Sequence, residues 1–171
     1  PDSGIIYALL STNLQGQRQQ VQAQTEAQQR AKQAALAALD QRIAQGQRNA
    51  DSVAQEIQLQ SQQVASSRKL LAQLKPLLAE RIVSELQYEQ QHQTLLDQTA
   101  RRHTLERQRS AAWADVAQAR EDRARVSAEH AVTQATLDRD LLNLRQEEVQ
   151  RLSSRQTLLT APFDGTETSL V

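Results

Sequence analysis

Several signals that interrupt a helix fall together between two long runs rich in Ala, Gln, Leu, Arg and Glu. Pro76 lacks an amide hydrogen and crowds the carbonyl group four residues back, so it kinks or ends a helix. Ser84, with Gln87 three positions later, has the spacing of a capping box at the start of a helix. Val83 and Tyr88 stand where a hydrophobic staple would hold that start in place. The stretch therefore predicts that one helix ends and a second one begins here.

The position of the turn determines how the two long runs, the first and second arm, pair with each other. We expect the first helix to end near Glu80, the turn to lie near residues 81–83 and the second helix to start at Ser84. Residue i of the first arm then lies opposite about residue 164 − i of the second, as in other antiparallel helix pairs. This pairing sets Leu14 against Gln150 and brings the two ends of the chain together.

The composition favours a few very long helices over a round globular core. The chain has four Gly and three Pro, and aromatic residues make up 2% of it. Much of its 39% hydrophobic content is Ala, which buries little area per side chain. The many Gln residues are also typical of disordered tracts. Because Gln is a good helix former and Leu, Ile and Val recur regularly, we rank disorder below helix.

Charge and residue types argue against several classes of function. Lys plus Arg and Asp plus Glu both number 20, so no basic field is present to hold nucleic acid. Without Cys there is no thiolate nucleophile or thiolate metal site, and the redox compartment stays open. The three histidines, His92, His103 and His130, lie far apart in the sequence. We therefore predict no catalytic residue, no metal site, no cofactor and no enzymatic activity.

A heptad seam runs along the first arm from Leu36. Alternating steps of four and three residues keep a narrow stripe on one face, as in two-stranded coiled coils. Gly46, Gln60 and Ser67 thin this seam, so we expect the arm to pack lightly. The predicted positions are Leu36, Leu39, Ile43, Gly46, Ala50, Val53, Ile57, Gln60, Val64, Ser67, Leu71, Leu74 and Leu78.

The second arm, from Ser84 to about residue 157, is helical but less regular. Two readings of its pattern stay open: contact with more than one neighbour, or a register that drifts. One heptad position is shared by apolar and basic residues: Leu95, Arg102, Arg109, Val116, Arg123, His130, Leu137 and Leu144. Large apolar residues also occupy other faces: Leu96, Trp113, Leu141 and Leu142.

Both ends of the chain read as β structure. Residues 4–10 are a short apolar run with β-branched and aromatic residues, which favours a strand. Pro162 excludes helix, and Asp164-Gly165 is a tight-turn signal between two short strand-like pieces. The longest apolar run, Ile5–Leu10, is far shorter than the roughly 20 residues needed to cross a bilayer.

These ends resemble the lipoyl-like domain of periplasmic adaptors of the HlyD type, also called membrane fusion proteins. In that family an α-hairpin splits a small β domain. Residues 160–166 resemble the start of the second lipoyl half, commonly Ala-Pro-x-Asp-Gly-x-Val, with Glu167 where Val is usual. Residues 3–9 resemble the last strand of the first half. The resemblance implies a lipoyl-like base that includes Gly4, Ile6, Tyr7, Leu9, Ala161, Pro162, Phe163, Asp164 and Gly165.

The turn resembles the tip of the same family, where an Arg is followed by a Leu four residues later and a Ser seven beyond that. Leu77 and Ser84 match, and Gln73 stands at the Arg position. Residues 82–88 and 95–107 look most like adaptors of peptide and bacteriocin exporters. The resemblance implies an outer-membrane-channel docking site of Gln73, Leu77, Arg81, Ile82, Val83, Ser84 and Leu86.

What the resemblance implies is therefore a mainly α protein, a long antiparallel two-helix hairpin with a partial β patch at its base. Its domains are the end of a first lipoyl half (1–11), the hairpin (12–157) and the start of a second half (158–171). The adaptor links an inner-membrane ABC transporter to a TolC-like outer-membrane channel in type I secretion, as a ring of six hairpins. It lies in the periplasm, and we expect an upstream transmembrane helix to anchor it to the inner membrane.

Three alternatives remain open. The chain could serve as the adaptor of a drug efflux pump, which has the same architecture. It could be a coiled-coil scaffold without a transport role, in which the strand-like ends mean nothing. It could also be a signalling hairpin of the chemoreceptor kind. The lipoyl-like ends favour the adaptor, because a scaffold has no reason to carry them.

Overall fold

The computed structural model describes residues 2–155, and the side chains of residues 5, 6 and 8–154. Helix α1 spans Asp2–Ala79 and helix α2 spans Glu85–Arg155. Backbone contacts divide the chain into two units. The turn unit comprises residues 32–128, and the end unit comprises the described parts of residues 1–31 and 129–171. The predicted two-helix fold is confirmed, and its turn lies within one residue of the predicted place.

Within the turn unit the two helices run antiparallel in the predicted register. The pairing predicts that Gly46 lies opposite about residue 118, and Val116 is its neighbour in the structure. Ser67 is predicted to lie opposite about residue 97, and its hydroxyl donates a hydrogen bond to Gln98. The position and length of the turn set this register. Each step of one residue away from the turn along α1 moves the facing position one residue away from the turn along α2.

The heptad seam predicted on α1 is confirmed. All thirteen predicted positions are buried or half-buried, and Ala50, Val53 and Val64 are among the buried ones. The stripe stays on one face over this length because the steps of four and three residues average 3.5 per turn. Each buried side chain of Val or Leu size stabilises the pair by about 1.5–3 kcal/mol relative to exposure.

The seam on α2 follows the predicted register in part and has a second row that was not predicted from the sequence. The predicted register contributes Val116, which is only 1% exposed, but Arg109 and Arg123 of the same register are exposed. A companion row three residues from it carries much of the packing, with Leu105, Ala112 and Ala119 buried. Ala112 and Ala119 are small, so they let the two backbones approach closely. The other large residues Leu96, Trp113 and Leu142 are exposed, and Leu141 is half-buried.

Gly46 marks a close approach of the helices, where light packing was expected. A Cβ atom added to it would lie 2.6 Å from the Cγ2 atom of Val116 and 3.8 Å from the carbonyl oxygen of Ala112. Val116 is β-branched and has little rotamer freedom in a helix, so it cannot easily move aside. The absent side chain of Gly46 therefore makes room for Val116.

A polar cluster interrupts the apolar seam of the turn unit. Gln60 is 5% exposed, and its Nε2 donates to the backbone carbonyl of Gln98 at 3.0 Å. Ser67 Oγ donates to the Gln98 side-chain oxygen at 2.6 Å. Because a buried amide costs free energy unless it is hydrogen-bonded, these bonds fix which α2 residue faces Gln60.

Two ion pairs join the helices of the turn unit on its partly exposed flanks. Arg123 Nε lies 2.6 Å from Asp40 Oδ1, and Arg42 binds Asp115. The hydrogen bond and charge of Asp115 raise the pKa of the Arg42 guanidinium above its ordinary value. Solvent screens such pairs, so they specify the pairing more than they stabilise it.

In the end unit, Leu14 and Leu137 are the buried large residues, and Val21 is half-buried. Arg18 and Glu148 form an ion pair between α1 and α2, with Nη1 and Oε2 3.1 Å apart. The predicted pairing placed Arg18 opposite about residue 146, so the register is confirmed in this unit as well.

The strand predicted for residues 4–10 is wrong, because these residues belong to α1. A short strand needs a neighbouring strand for its backbone hydrogen bonds, and a two-stranded pair is marginal in water. Extension of an existing helix gains one hydrogen bond per residue without a new nucleus. The hydroxyls of Ser11 and Thr12, predicted as loop or cap groups, instead donate to the carbonyl of Ala8 within the helix. The strand-like pieces after residue 157 lie outside the described residues.

The close approach at Gly46 predicts an unusual sign for a Gly-to-Ala change. Gly46→Ala should lower the free energy of unfolding by about 1 kcal/mol, because overpacking against Val116 outweighs the gain in helix propensity. In a Val116→Ala background the same change should raise it by about 1 kcal/mol. Urea denaturation followed by circular dichroism measures both values.

Gly16→Ala is the matched control, since nothing lies within 4 Å of the Cβ that it adds. It should raise the free energy of unfolding by about 1 kcal/mol in either background. Equal effects of Gly46→Ala with and without Val116 would contradict the close approach.

Candidate functional site

The turn between the helices ends α1 with a Schellman motif. The amide of Ile82 donates to the carbonyl of Leu77 at 2.9 Å, and the amide of Arg81 donates to the carbonyl of Leu78 at 3.1 Å. These bonds satisfy carbonyl groups that the end of a helix leaves without partners. Arg81 takes the left-handed position of the motif, with φ at 60°, where Gly is the usual residue.

Helix α2 begins with the predicted capping box. The backbone amide of Ser84 donates to Gln87 Oε1 at 3.1 Å, and the amide of Gln87 donates to Ser84 Oγ at 3.2 Å. Each residue thus satisfies an amide that the helix cannot. Val83 and Tyr88, the predicted staple, are both half-buried. The turn is held from both sides by defined hydrogen bonds.

Two large apolar side chains at this turn are exposed to solvent. Ile82 is 66% exposed and Leu86 is 68% exposed, whereas Leu77 and Val83 are half-buried. In a Schellman motif the residue at the position of Ile82 often packs back on the helix end. Here most of its surface stays available to a partner. The turn therefore presents apolar side chains on a backbone fixed by hydrogen bonds.

The structure brings the predicted docking residues together at this turn. Gln73, Arg81 and Ser84 are exposed, and all seven residues lie on the last turns of α1, the connection or the first turn of α2. Ser84 is engaged in the cap, so its hydroxyl has a structural role whatever else it contacts. That placement makes Ile82 and Leu86 the residues best exposed for an apolar contact.

The predicted lipoyl-like base is not assembled in the described residues. Gly4, Ile6, Tyr7 and Leu9 lie in α1, and the side chains of Ile6 and Leu9 are exposed. The other predicted members, residues 161–165, lie outside the described part of the chain. Because residues 4–9 are helical, they do not form the strand that was predicted to meet residues 161–165.

Two of the three histidines lie beside a Glu of the same helix on the surface of α2. His92 lies 3.8 Å from Glu89, and His103 lies 3.0 Å from Glu106. Among the described side chains, those of residues 5, 6 and 8–154, no group of three or more His, Asp or Glu could hold a metal ion. No helix within residues 2–155 has the length and hydropathy needed to cross a membrane.

Two features were not predicted from the sequence, one in the turn and one in the helix pair that carries the turn. The left-handed position of Arg81 was predicted only as part of a turn, although a helix end with no Gly forces another residue into that place. The buried row of Leu105, Ala112 and Ala119 was missed because Ala is a weak signal of a core. Its spacing of seven residues from Leu105 could have revealed it.

The chain matches no family model, no curated protein sequence and no solved structure. An assignment of function therefore depends on the residues of the chain itself.

The left-handed backbone conformation of Arg81 predicts that Gly at this position makes the folded protein more stable. Arg81→Gly should raise the free energy of unfolding by about 0.5–1 kcal/mol, because Gly adopts the left-handed region without a steric penalty. Glu80→Gly is the control, since Glu80 has no positive φ and Gly there should lower stability by up to about 1 kcal/mol. Thermal melts measure both variants, and a similar loss for the two would contradict the left-handed assignment.

Proposed function

We propose that the chain is the α-hairpin part of a periplasmic adaptor of the HlyD type. In this role it links an inner-membrane ABC transporter to a TolC-like outer-membrane channel for type I secretion of a peptide or protein. The proposal includes a ring of six such hairpins, a lipoyl-like base beyond the hairpin and an anchor in the inner membrane. Its support comes from the turn, the antiparallel arms and the resemblance of their sequences.

The observation that carries the proposal is the pair of exposed apolar side chains on the turn. Ile82 and Leu86 lie where the helices reverse direction, on a backbone fixed by the Schellman motif and the capping box. An apolar residue that a turn does not need for its own closure is available for binding, and ordered backbone lowers the entropy lost on binding. These properties suit a docking tip.

The character of the arms is compatible with a conduit. Many exposed positions carry Gln, Ser or Thr, and the chain has a formal net charge of zero. Such a surface stays hydrated without strongly retaining acidic or basic cargo. The same character suits the adaptor of a drug efflux pump, and nothing in the arms separates that role from peptide secretion.

One observation favours a different function, a coiled-coil scaffold without a transport role. Residues 4–10 continue α1 and do not form the strand that the lipoyl-like base requires. A scaffold needs only the helix pair. It has no use for exposed apolar residues at the turn, however, so the two functions differ in what they predict for Ile82 and Leu86.

Retention of a purified TolC-like outer-membrane channel by the immobilised chain tests the proposal. We expect specific retention, and we expect Ile82→Asp and Leu86→Asp each to weaken it at least tenfold, because a charge placed in an apolar contact loses its hydration. Circular dichroism should show unchanged helicity, since both side chains are mostly exposed.

Leu59→Asp is the matched control, because Leu59 is 61% exposed and lies in the middle of α1. Its channel retention should equal that of the unaltered chain. Absence of retention, or equal weakening by all three changes, would count against the docking tip and favour the scaffold.

A further inference from the structure

The end unit contains a cavity between its two helices with a volume of about 290 Å³. Its lining combines apolar and charged side chains. Leu14 is buried, Leu144 is half-buried and Leu152 is exposed, so the apolar part runs from the interior to the surface. The residues that matter for its chemistry are Leu14, Leu144, Leu152, Arg18, Glu148 and Arg151.

The charges of the lining do not cancel. Arg18 Nη1 pairs with Glu148 Oε2 at 3.1 Å, and this pair neutralises one of the two guanidinium groups. Arg151 forms no ion pair with any carboxylate among the side chains that the structure describes. The cavity therefore carries one net positive charge beside its leucine side chains.

We propose that this cavity binds a medium-chain carboxylate, an anion with a single short alkyl chain. The leucine side chains would contact the alkyl chain of the ligand. The Arg151 guanidinium would donate hydrogen bonds to the carboxylate, because a planar guanidinium can form two parallel bonds with a carboxylate. An uncharged alkyl ligand would leave Arg151 without a partner, and an anion without an alkyl group would leave the leucine side chains in contact with water. The proposal does not depend on a role in transport.

The volume indicates the size of ligand that fits in the cavity. A water molecule takes about 30 Å³ of liquid, and a carbon atom with its hydrogens takes a similar space, so the cavity has room for about ten heavy atoms. Octanoate has this size. For so small a ligand we expect a dissociation constant on the order of 0.1–1 mM.

Titration of the chain with octanoate labelled with ¹³C at the carboxyl carbon tests the proposal by NMR. We expect a saturable shift with one ligand per chain. Octanol should bind at least fivefold more weakly, because it has no charge for Arg151. Arg151→Gln should weaken octanoate binding at least fivefold for the same reason.

Two variants make the test specific. Arg145→Gln removes the same charge from an exposed position of α2 outside the cavity, and it should leave the affinity within twofold. Glu148→Gln removes the carboxylate that occupies Arg18, so it should leave octanoate binding equal or tighter. Circular dichroism confirms that each variant keeps its helicity.

The proposal is overturned by three results. The first is a shift that does not saturate below the concentration at which octanoate forms micelles. The second is equal weakening by Arg151→Gln and Arg145→Gln, which would indicate attraction by net charge alone. The third is weaker binding by Glu148→Gln.

Discussion

The contact between Gly46 and Val116 sets how closely the two helices of the turn unit approach. A side chain on residue 46 would meet Val116 at 2.6 Å, so the helices can keep this distance only with Gly at that position. Ala50 and Ala119, both fully buried, are small enough to pack at the same short separation. Because Ala buries little area, close approach supplies the dispersion contacts that larger side chains supply elsewhere. The pairing of the arms depends on this contact and on the bonds from Gln60 and Ser67 to Gln98.

The turn makes the reversal of direction specific and also creates the candidate docking site. The Schellman bonds end α1 and the capping box starts α2, so the carbonyls of Leu77 and Leu78 and the amides of Ser84 and Gln87 have partners. With the backbone satisfied in this way, Ile82 and Leu86 are not needed to close the turn and remain exposed. The proposed adaptor role depends on this separation between residues that hold the turn and residues that face outward.

The sequence predicted the structure correctly where a residue pattern is compatible with only one local structure. The Ser84-x-x-Gln87 spacing predicted the cap, and each of the thirteen seam positions predicted on α1 from Leu36 onward is buried or half-buried. It failed where the outcome depends on competing neighbours. The apolar run at residues 4–10 suits either a strand or a helix, and continuity with α1 decides between them. The role of Gly46 was also hidden, because a helical Gly looks like a defect until its neighbour is known. The docking function itself stays a prediction.

The central claim is that the chain doubles back once, so that residues 46 and 116 of the same molecule meet. The chain has no native Cys, and an ideal Cβ atom on Gly46 lies 3.9 Å from that of Val116, close to the mean of about 3.8 Å in disulfides. Oxidation of the Gly46→Cys, Val116→Cys variant should give a disulfide within one chain whose yield does not depend on protein concentration. The pair Gly46→Cys, Gln118→Cys, with residue 118 exposed on α2, should not form it. Crosslinks only between chains, or equal yields from the two pairs, would contradict the account.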